Sequence, residues 1–398
     1  MDITIYPHRL SGKITAIPSK SQAHRLLICS AFADRPTDII CPEANQDIEA
    51  TVGCLNALGA VITRTERGYH VIPAKDIPPN AILNCHESGS TLRFMLPIVG
   101  ALGVETHFLL SGRLPERPLS PLWEEMERMG CTLSRPTTDT ISCKGQLKAG
   151  SYIIDGSVSS QFITGLLFAM ALLDGESRLT VTGRLESRPY IEMTQNALSA
   201  FDISSDDFCV KGTRPFSSPG KLTVEGDWSN GAFFLSAQAM GNPIEIENLN
   251  LNSAQGDRAI AELVIKLQSN CTISAADIPD LVPILSVLAA ANQGAEFTHI
   301  QRLRLKESDR VASVISMLSS LGVHANATED TLTIYPGQFQ GGIVDSVNDH
   351  RIAMAAAIAA TVASDPVTIK DAHCVAKSYP TFWDEYRRLG GRYEQYIR

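Results

Sequence analysis

The sequence predicts an α/β protein of two lobes, each assembled from three copies of a strand–helix–strand–helix–strand–strand (βαβαββ) unit. Three observations carry this expectation. Six segments of the 398-residue chain share one grammar, a polar start of small residues and then an apolar helix ending near Gly or Asp. Between them recurs a second element, a helix that closes on Gly and runs into two short alternating stretches. Helices and strands alternating with a period of about 70 residues indicate a repeated α/β unit, longer than common solenoid repeats.

In chain order the first helix is "SKSQAHRLLICSAFAD", and "LNALGAVITRTERGYHVIPA" follows it as helix end and hairpin. Gly after the helix is the expected C-cap. The apolar–polar alternation around a turn reads as two antiparallel strands. "ESGSTLRFMLPIVGALG" opens the second unit, which "MERMGCTLSRPTTDTISCKG" completes. "SVSSQFITGLLFAMALLDG" opens the third, followed by the shortened copy "LSAFDISSDDFCVKG". "GDWSNGAFFLSAQAMG" begins the next unit. After "AELVIKLQSNCTISAADIPD" its hairpin is nearly missing, so this interval falls to about 50 residues. "IPDLVPILSVLAAANQG", with "LSSLGVHANATEDTLTIYPG", and "NDHRIAMAAAIAATVAS" complete the six. Stretches such as "AMAAAIAATVA" are apolar almost all round and belong in an interior. No Pro/Gly-rich linker separates the lobes, and the pattern puts their border near "TVEGDWS".

Composition narrows the function classes. Apolar residues make up 44% and charged ones 19%, as in a folded, soluble chain. A net charge of −9 argues against a general nucleic-acid or membrane-surface binder, while leaving room for a local cation cluster that holds an anionic small molecule. Nine cysteines with no C-x-x-C pair read as reduced thiols and predict a cytoplasmic protein. Nine dispersed histidines predict no metal site. "MDITIYPHRL" has the features of neither a signal nor a transit peptide, and the longest apolar runs are too short to span a bilayer.

The polar helix starts carry the chemistry. A helix N-terminus offers free N–H groups and a partial positive charge, which suits an anion. "PSKSQAHR" adds Lys20, Ser21 and Arg25, and "SVSSQ" adds Ser159, Ser160 and Gln161. "IPD" adds Asp280, and "NDHR" adds Asp349, His350 and Arg351. "LKESDR" supplies Lys306, Glu307 and Arg310; "PERP" supplies Arg117; "ESRPY" supplies Ser187 and Tyr190; "CVAKSYP" supplies Lys377. Taken singly, the Ser and Asp residues are ordinary caps, "LKESDR" is a solvated first turn, and Arg117 and Lys377 are surface charges. Convergence changes the reading, because repeat symmetry brings equivalent helix starts to equivalent ends of the two lobes. Several cations there fit substrates with several negative charges. Asp280 and Glu307 among them read as a general acid/base pair. The residues alone thus predict an enzyme acting on phosphorylated or carboxylated substrates.

"SKSQAHR", "SGSTLR", "ERP", "SSQF", "SRPY", "IPD", "LKESDR", "NDHR" and "AKSYP" occur in the order found in the 5-enolpyruvylshikimate-3-phosphate synthase family, which the chain resembles over essentially its whole length. The resemblance implies the two-lobed enolpyruvyl transferase fold, with one lobe discontinuous. One lobe would comprise residues 1–18 and 227–398, carrying Asp280, Glu307, Arg310, Arg351 and Lys377; the other, residues 19–226, would carry the shikimate-phosphate site and Arg117. Substrates would bind between lobes that close around them.

It implies transfer of the enolpyruvyl group of phosphoenolpyruvate to the 5-hydroxyl of shikimate-3-phosphate, with release of phosphate and no cofactor or metal, in the cytoplasmic shikimate pathway that glyphosate targets. Ser159, Ser160 and Ser187 would hold the shikimate phosphate, and Ser21, Arg25, Gln161 and Tyr190 would frame its ring, with Lys20, Asp280 and Lys306 also in contact. Lys20, Gly89, Arg117, Gln161 and Lys377 would grip the phosphate of phosphoenolpyruvate, and Arg310 and Arg351 its carboxylate. Asp280 would be the base on the 5-hydroxyl. Glu307, helped by Lys20, would deliver and later remove the C3 proton. A monomer is expected.

Two positions depart from the family pattern, Glu87 ahead of S-G-S and Arg302 ahead of the K-E pair, where many members carry Asn. They suggest a compensating swap of opposite charges. The sister transferase acting on UDP-N-acetylglucosamine is disfavoured, because Lys20-Ser21 stands in place of K-N and neither Cys131 nor Cys143 sits in a comparable loop motif. An RNA 3′-phosphate cyclase lacks support from the histidines and from the acidic net charge. A non-catalytic phosphate-ligand binding protein, or a purely structural repeat array, leaves Asp280 and Glu307 beside the cations unexplained.

Overall fold

The computed structural model describes residues 1–396. The chain divides into two compact units, Met1–Ile17 with Glu225–Arg398, and Pro18–Val224. These borders fall one and two residues before those expected, 18/19 and 226/227, and backbone and side-chain partners give the reason. The Val224 N–H donates to the Ile40 carbonyl of the second unit at 2.9 Å. The Glu225 carboxylate instead accepts from Asn250 and Ser253 of the first. The Asp227 N–H closes the crossing on the carbonyl of Ile17 at 2.7 Å.

The repeat is plainest where all its parts are present. In the second unit, strand Asn80–His86 pairs parallel with Glu105–Leu110 across helix Gly89–Leu102. Helix Leu122–Arg128 then leads to the hairpin Cys131–Thr137 and Thr140–Gly145, whose second strand pairs antiparallel with Glu105–Leu110. The strands of the unit therefore lie in the order first, second, fourth, third. The same order recurs in the first unit for Cys271–Ser274, Ala295–Thr298, Thr331–Ile334 and Ala325–Ala327.

Two sheets are completed by strands remote in sequence. Lys221–Thr223 lies parallel to Thr37–Ile40, and Asp2–Tyr6 enters between Val367–Lys370 and Arg392–Tyr396. Helix Arg188–Ser199 is followed by the single strand Cys209–Gly212. After helix Ile260–Lys266 the next strand already belongs to another sheet, so Gly12–Thr15 and Ile244–Glu247 form a two-stranded pair.

Each unit has its own hydrophobic core. The inner helices Lys20–Ala31, Gly89–Leu102 and Ser160–Leu172, and in the other unit Trp228–Ala239, Val282–Ala291 and His350–Ala360, are buried along most of their length. The strands instead alternate: Leu83 is fully buried while Ile82 beside it is 62% exposed. That difference explains the two hydrophobic patterns in the sequence, continuous for inner helices and of period two for sheets with one solvated face. Each large apolar side chain so buried contributes about 1.5–3 kcal/mol, which makes these helices the rigid members of each unit.

Close helix approach depends on Gly165. A Cβ placed there would lie 2.2 Å from the Arg93 carbonyl oxygen on helix Gly89–Leu102, so the bare backbone lets two inner helices meet. Gly165→Ala is expected to destabilise the fold by about 1–3 kcal/mol through overpacking. A urea midpoint equal to that of the wild type would contradict this.

Candidate active site

In the second unit the predicted residues gather at the starts of inner helices. Ser19, Ser88 and Ser159 cap these helices, their hydroxyls accepting from the N–H groups of Gln22, Thr91 and Gln161 at 3.4, 3.3 and 3.3 Å. Lys20 follows the first cap, and its Nζ pairs with Asp47 Oδ2 at 2.8 Å, both side chains largely withdrawn from solvent. A Cβ on Gly89 would lie 2.5 Å from Arg117 Nη1 and 2.7 Å from Arg93 Nη1. The absent side chain thus lets two guanidinium groups close on one helix start. Gln161 joins them: its Nε2 donates to Ser90 Oγ at 2.9 Å, and its Oε1 accepts from Arg93 Nη1 at 3.3 Å. Glu87 packs so closely on Gly112 that a Cβ there would come within 2.6 Å of its Cδ.

Ser160 is buried in its helix's first turn. Ser187 precedes helix Arg188–Ser199 at φ 53° and ψ 40°, a left-handed conformation that costs energy for a residue with a Cβ, and its side chain does not cap the helix. Strain of this kind concentrates at binding sites.

Arg25, predicted to frame a ring, is bonded to residues expected beside it, Ser21 and Tyr190. It is buried against Phe94 and donates to the carbonyls of Ser21 and Tyr190 at 2.7 and 2.8 Å, and to the hydroxyls of Thr194 and Thr164 at 2.9 and 3.3 Å. Burial pushes its pKa down to about 10, which leaves it charged at neutral pH. Its position ties Ser21 and Tyr190 together.

The first unit collects the acids. Arg310, 1% exposed, ion-pairs with three carboxylates: Asp280 Oδ1 at 2.6 Å, Glu307 Oε2 at 2.6 Å and Asp349 Oδ2 at 2.9 Å. A buried guanidinium loses several kcal/mol of hydration and needs such partners. Arg351 adds Nη2 to Asp280 Oδ2 at 3.2 Å, and Lys306 Nζ lies 3.6 Å from Asp280 Oδ1. Asp349 also caps helix His350–Ala360, accepting from the Arg351 N–H at 3.0 Å and from Ser308 Oγ at 2.9 Å. Lys377 donates to the Asn348 carbonyl at 2.8 Å, just before that helix.

These contacts set the titration. Burial alone would raise the Asp280 carboxyl, but Arg351, Lys306 and Arg310 override it and hold the group well below the usual carboxylate range. Burial, aided by Arg310 and Arg302, pushes the Lys306 amine down to about 8 against the pull of Asp280.

Three participants escaped the sequence reading. Asp47 stands in "NQDIEA", an unremarked helix start; Arg93 keeps the family spacing but carries no assigned role. Asp257 has no local signal at all. It is buried and bonded by Ser229 Oγ. Burial and the nearby Asp280 charge push its carboxyl up to about 7, while Arg351 and the Ser229 bond oppose the rise.

The chain is similar to known proteins over nearly its whole length. The family model described as EPSP synthase (3-phosphoshikimate 1-carboxyvinyltransferase) matches residues 5–386. A 3-phosphoshikimate 1-carboxyvinyltransferase of Clostridium botulinum (strain Eklund 17B / Type B) is 36% identical, the match covering 98% of each chain. One from Clostridium beijerinckii is also 36% identical, over 99% of each. The fold is that of the solved EPSP synthase of Acinetobacter baumannii, with a TM-score of 0.79 at 23% identity over 99% of this chain and 100% of that one.

The Asp257 environment makes stability depend on pH in a defined direction. Folded, the group keeps its proton to about pH 7, whereas unfolded it ionises near 3.8. The stability it contributes is therefore present below the lower value and lost as pH rises through the upper one. Asp257→Asn should gain more melting temperature over wild type at pH 8 than at pH 5; the opposite order, or no difference, would show the carboxyl to be ionised throughout.

Proposed function

Because the chain belongs to the EPSP synthase family, we propose that its two clusters divide the work of one addition–elimination reaction. The reaction moves the enolpyruvyl group of phosphoenolpyruvate to the 5-hydroxyl of shikimate-3-phosphate and releases phosphate. The observation that most supports the division is the pair of 2.6 Å contacts from Arg310 to Asp280 and Glu307, which sets two acids of different tasks on one cation.

Ser159, Ser160 and Ser187 hold the shikimate phosphate. Ser21, Gln161 and Tyr190 frame the ring, steadied by Arg25, with Lys306 and Asp280 reaching the same substrate. Lys20, the Gly89 N–H, Arg117, Gln161 and Lys377 take the phosphate of phosphoenolpyruvate, and Arg310 and Arg351 take its carboxylate. Glu307, helped by Lys20, protonates C3, which makes C2 cationic in character as the hydroxyl attacks it. Asp280 accepts the hydroxyl proton. The tetrahedral intermediate then loses phosphate, whose developing charge the Lys20, Arg117 and Lys377 cations stabilise, and Glu307 takes the C3 proton back.

Asp280, clasped by Arg310 and Arg351, is by itself a weak base. The carboxylate of phosphoenolpyruvate competes for those same two guanidiniums. Its arrival draws their charge from Asp280 and raises the proton affinity of that carboxylate when the base is needed. The enzyme acts as a cytoplasmic monomer in this reading, in line with nine cysteines that include no C-x-x-C pair.

The test is phosphate release from shikimate-3-phosphate and phosphoenolpyruvate together. Release should require both substrates, and its absence with both present would sink the reading. Lys20→Ala should lose about a thousandfold or more in kcat. Because the Lys20–Asp47 pair is largely withdrawn from solvent, the variant should give up about 1–3 kcal/mol of stability, which leaves the fold intact. Collapse of the fold instead would make Lys20 structural.

A further inference from the structure

A chain of buried hydroxyls links three helices of the second unit at the end that carries Lys20 and Gly89. His24 Nδ1 lies 2.8 Å from Thr51 Oγ1, which lies 2.8 Å from Thr91 Oγ1. Thr91 Oγ1 donates to Ser88 Oγ at 2.7 Å and also lies 3.4 Å from the carbonyl oxygen of Asp47. His24, Thr51, Thr91 and Ser88 are all buried. They come from helices Lys20–Ala31, Gln46–Ala57 and Gly89–Leu102 and the cap of the last.

The direction of the chain follows from counting hydrogens. A threonine hydroxyl has one hydrogen and two lone pairs. Thr91 points its hydrogen toward Ser88, so the Thr51–Thr91 contact must be donated by Thr51. Thr51 then accepts from His24, which makes His24 the Nδ1–H tautomer. His24 Nε2 accordingly keeps a bare lone pair, and it is a buried nitrogen with no hydrogen-bond partner. An unmet acceptor is tolerated more readily than an unmet donor. Burial, with Lys20 and Arg25 adding to it, favours the neutral ring.

We propose that His24, Thr51 and Thr91 are positioning residues that hold the Lys20 amine and the Gly89 amide in register for one phosphate group. The link to Gly89 is direct, because Thr91 holds the cap of the turn in which Gly89 sits. The link to Lys20 runs through His24, one turn along the same helix, and through helix Gln46–Ala57, whose Thr51 belongs to the chain and whose Asp47 carboxylate meets Lys20. Aligned hydroxyls polarise one another in a dry interior, so the chain resists sliding of one helix start against the next. This inference rests on the assignment of the phosphoenolpyruvate phosphate to Lys20 and Gly89.

The test pairs Thr51→Val, which keeps the shape and cuts the chain, with Thr51→Ser, which restores the hydroxyl. In the full-length enzyme, Thr51→Val should raise KM for phosphoenolpyruvate about tenfold while KM for shikimate-3-phosphate changes less than about twofold, and Thr51→Ser should behave as wild type. An unchanged KM for phosphoenolpyruvate, an equal rise in both KM values, or no rescue by serine would overturn the proposal. Nitrogen-15 NMR of histidine-labelled wild type gives a readout that survives a poorly folding variant. His24 should show Nδ1 protonated and Nε2 bare; a proton on Nε2 reverses the chain and refutes it. A wild type that released no phosphate would defeat the catalytic reading instead, leaving the tautomer measurement to stand by itself.

Discussion

Polar side chains in helices buried on nearly every side gather toward the helix starts, and the arrangement of this protein follows from that tendency. The inner helices of each unit present mostly apolar surface, so a charge or hydroxyl within them, such as Arg25 or Ser30, must find a buried partner. The first turn is different, because its N–H groups need partners whatever the rest of the helix does. Ser19, Ser88, Ser159, Asp227 and Asp349 all meet that need as caps. Repetition of the unit then collects polar groups at the helix starts.

Charge is handled differently in the two units. In the second, positive charge dominates the polar end: Arg117 and Arg93 close on Gly89, and Arg25 is committed to carbonyls and hydroxyls. The acid at this end, Asp47, is paired with Lys20, and the guanidiniums around Gly89 suit phosphate. In the first, Arg310 meets three carboxylates and Asp280 is shared by Arg310, Arg351 and Lys306. Burying one of these charges alone would cost several kcal/mol, while the mutual pairing offsets most of that cost. The result is a network in which an incoming anion must displace an internal one. In the proposed reaction, binding the substrate carboxylate there and freeing Asp280 as a base are the same event.

The buried polar groups also divide by function. Arg25 and the His24–Thr51–Thr91 chain touch backbone and neighbouring hydroxyls, and act by holding helix starts in place. Asp257 sits beneath Asp280 in the electrostatic sense: the two acids raise each other's cost of ionising, and only the cations around Asp280 decide which one keeps its charge. A single buried carboxylate would have had no such competitor.

Much of this was legible in the chain itself. The period of about 70 residues, the Gly-terminated helices and the apolar runs were enough for the repeated unit, because hydrophobic spacing records local geometry directly. The motifs named Lys20, Gly89, Arg117, Asp280, Glu307 and Arg310, since helix starts are local features too. Tertiary structure alone decided the rest. Strand Asp2–Tyr6 enters a sheet formed by residues beyond 340, and strand Lys221–Thr223 one formed by residues before 75, pairings that no local pattern encodes. That Arg310 holds three acids, that Arg25 faces inward, and that Asp257 and His24 share their surroundings with catalytic candidates all depend on contacts between segments far apart in sequence. Residue type and spacing determined which chemistry was present; desolvation and pairing, which exist only once the chain is folded, decided the charge each group carries and the partner it keeps.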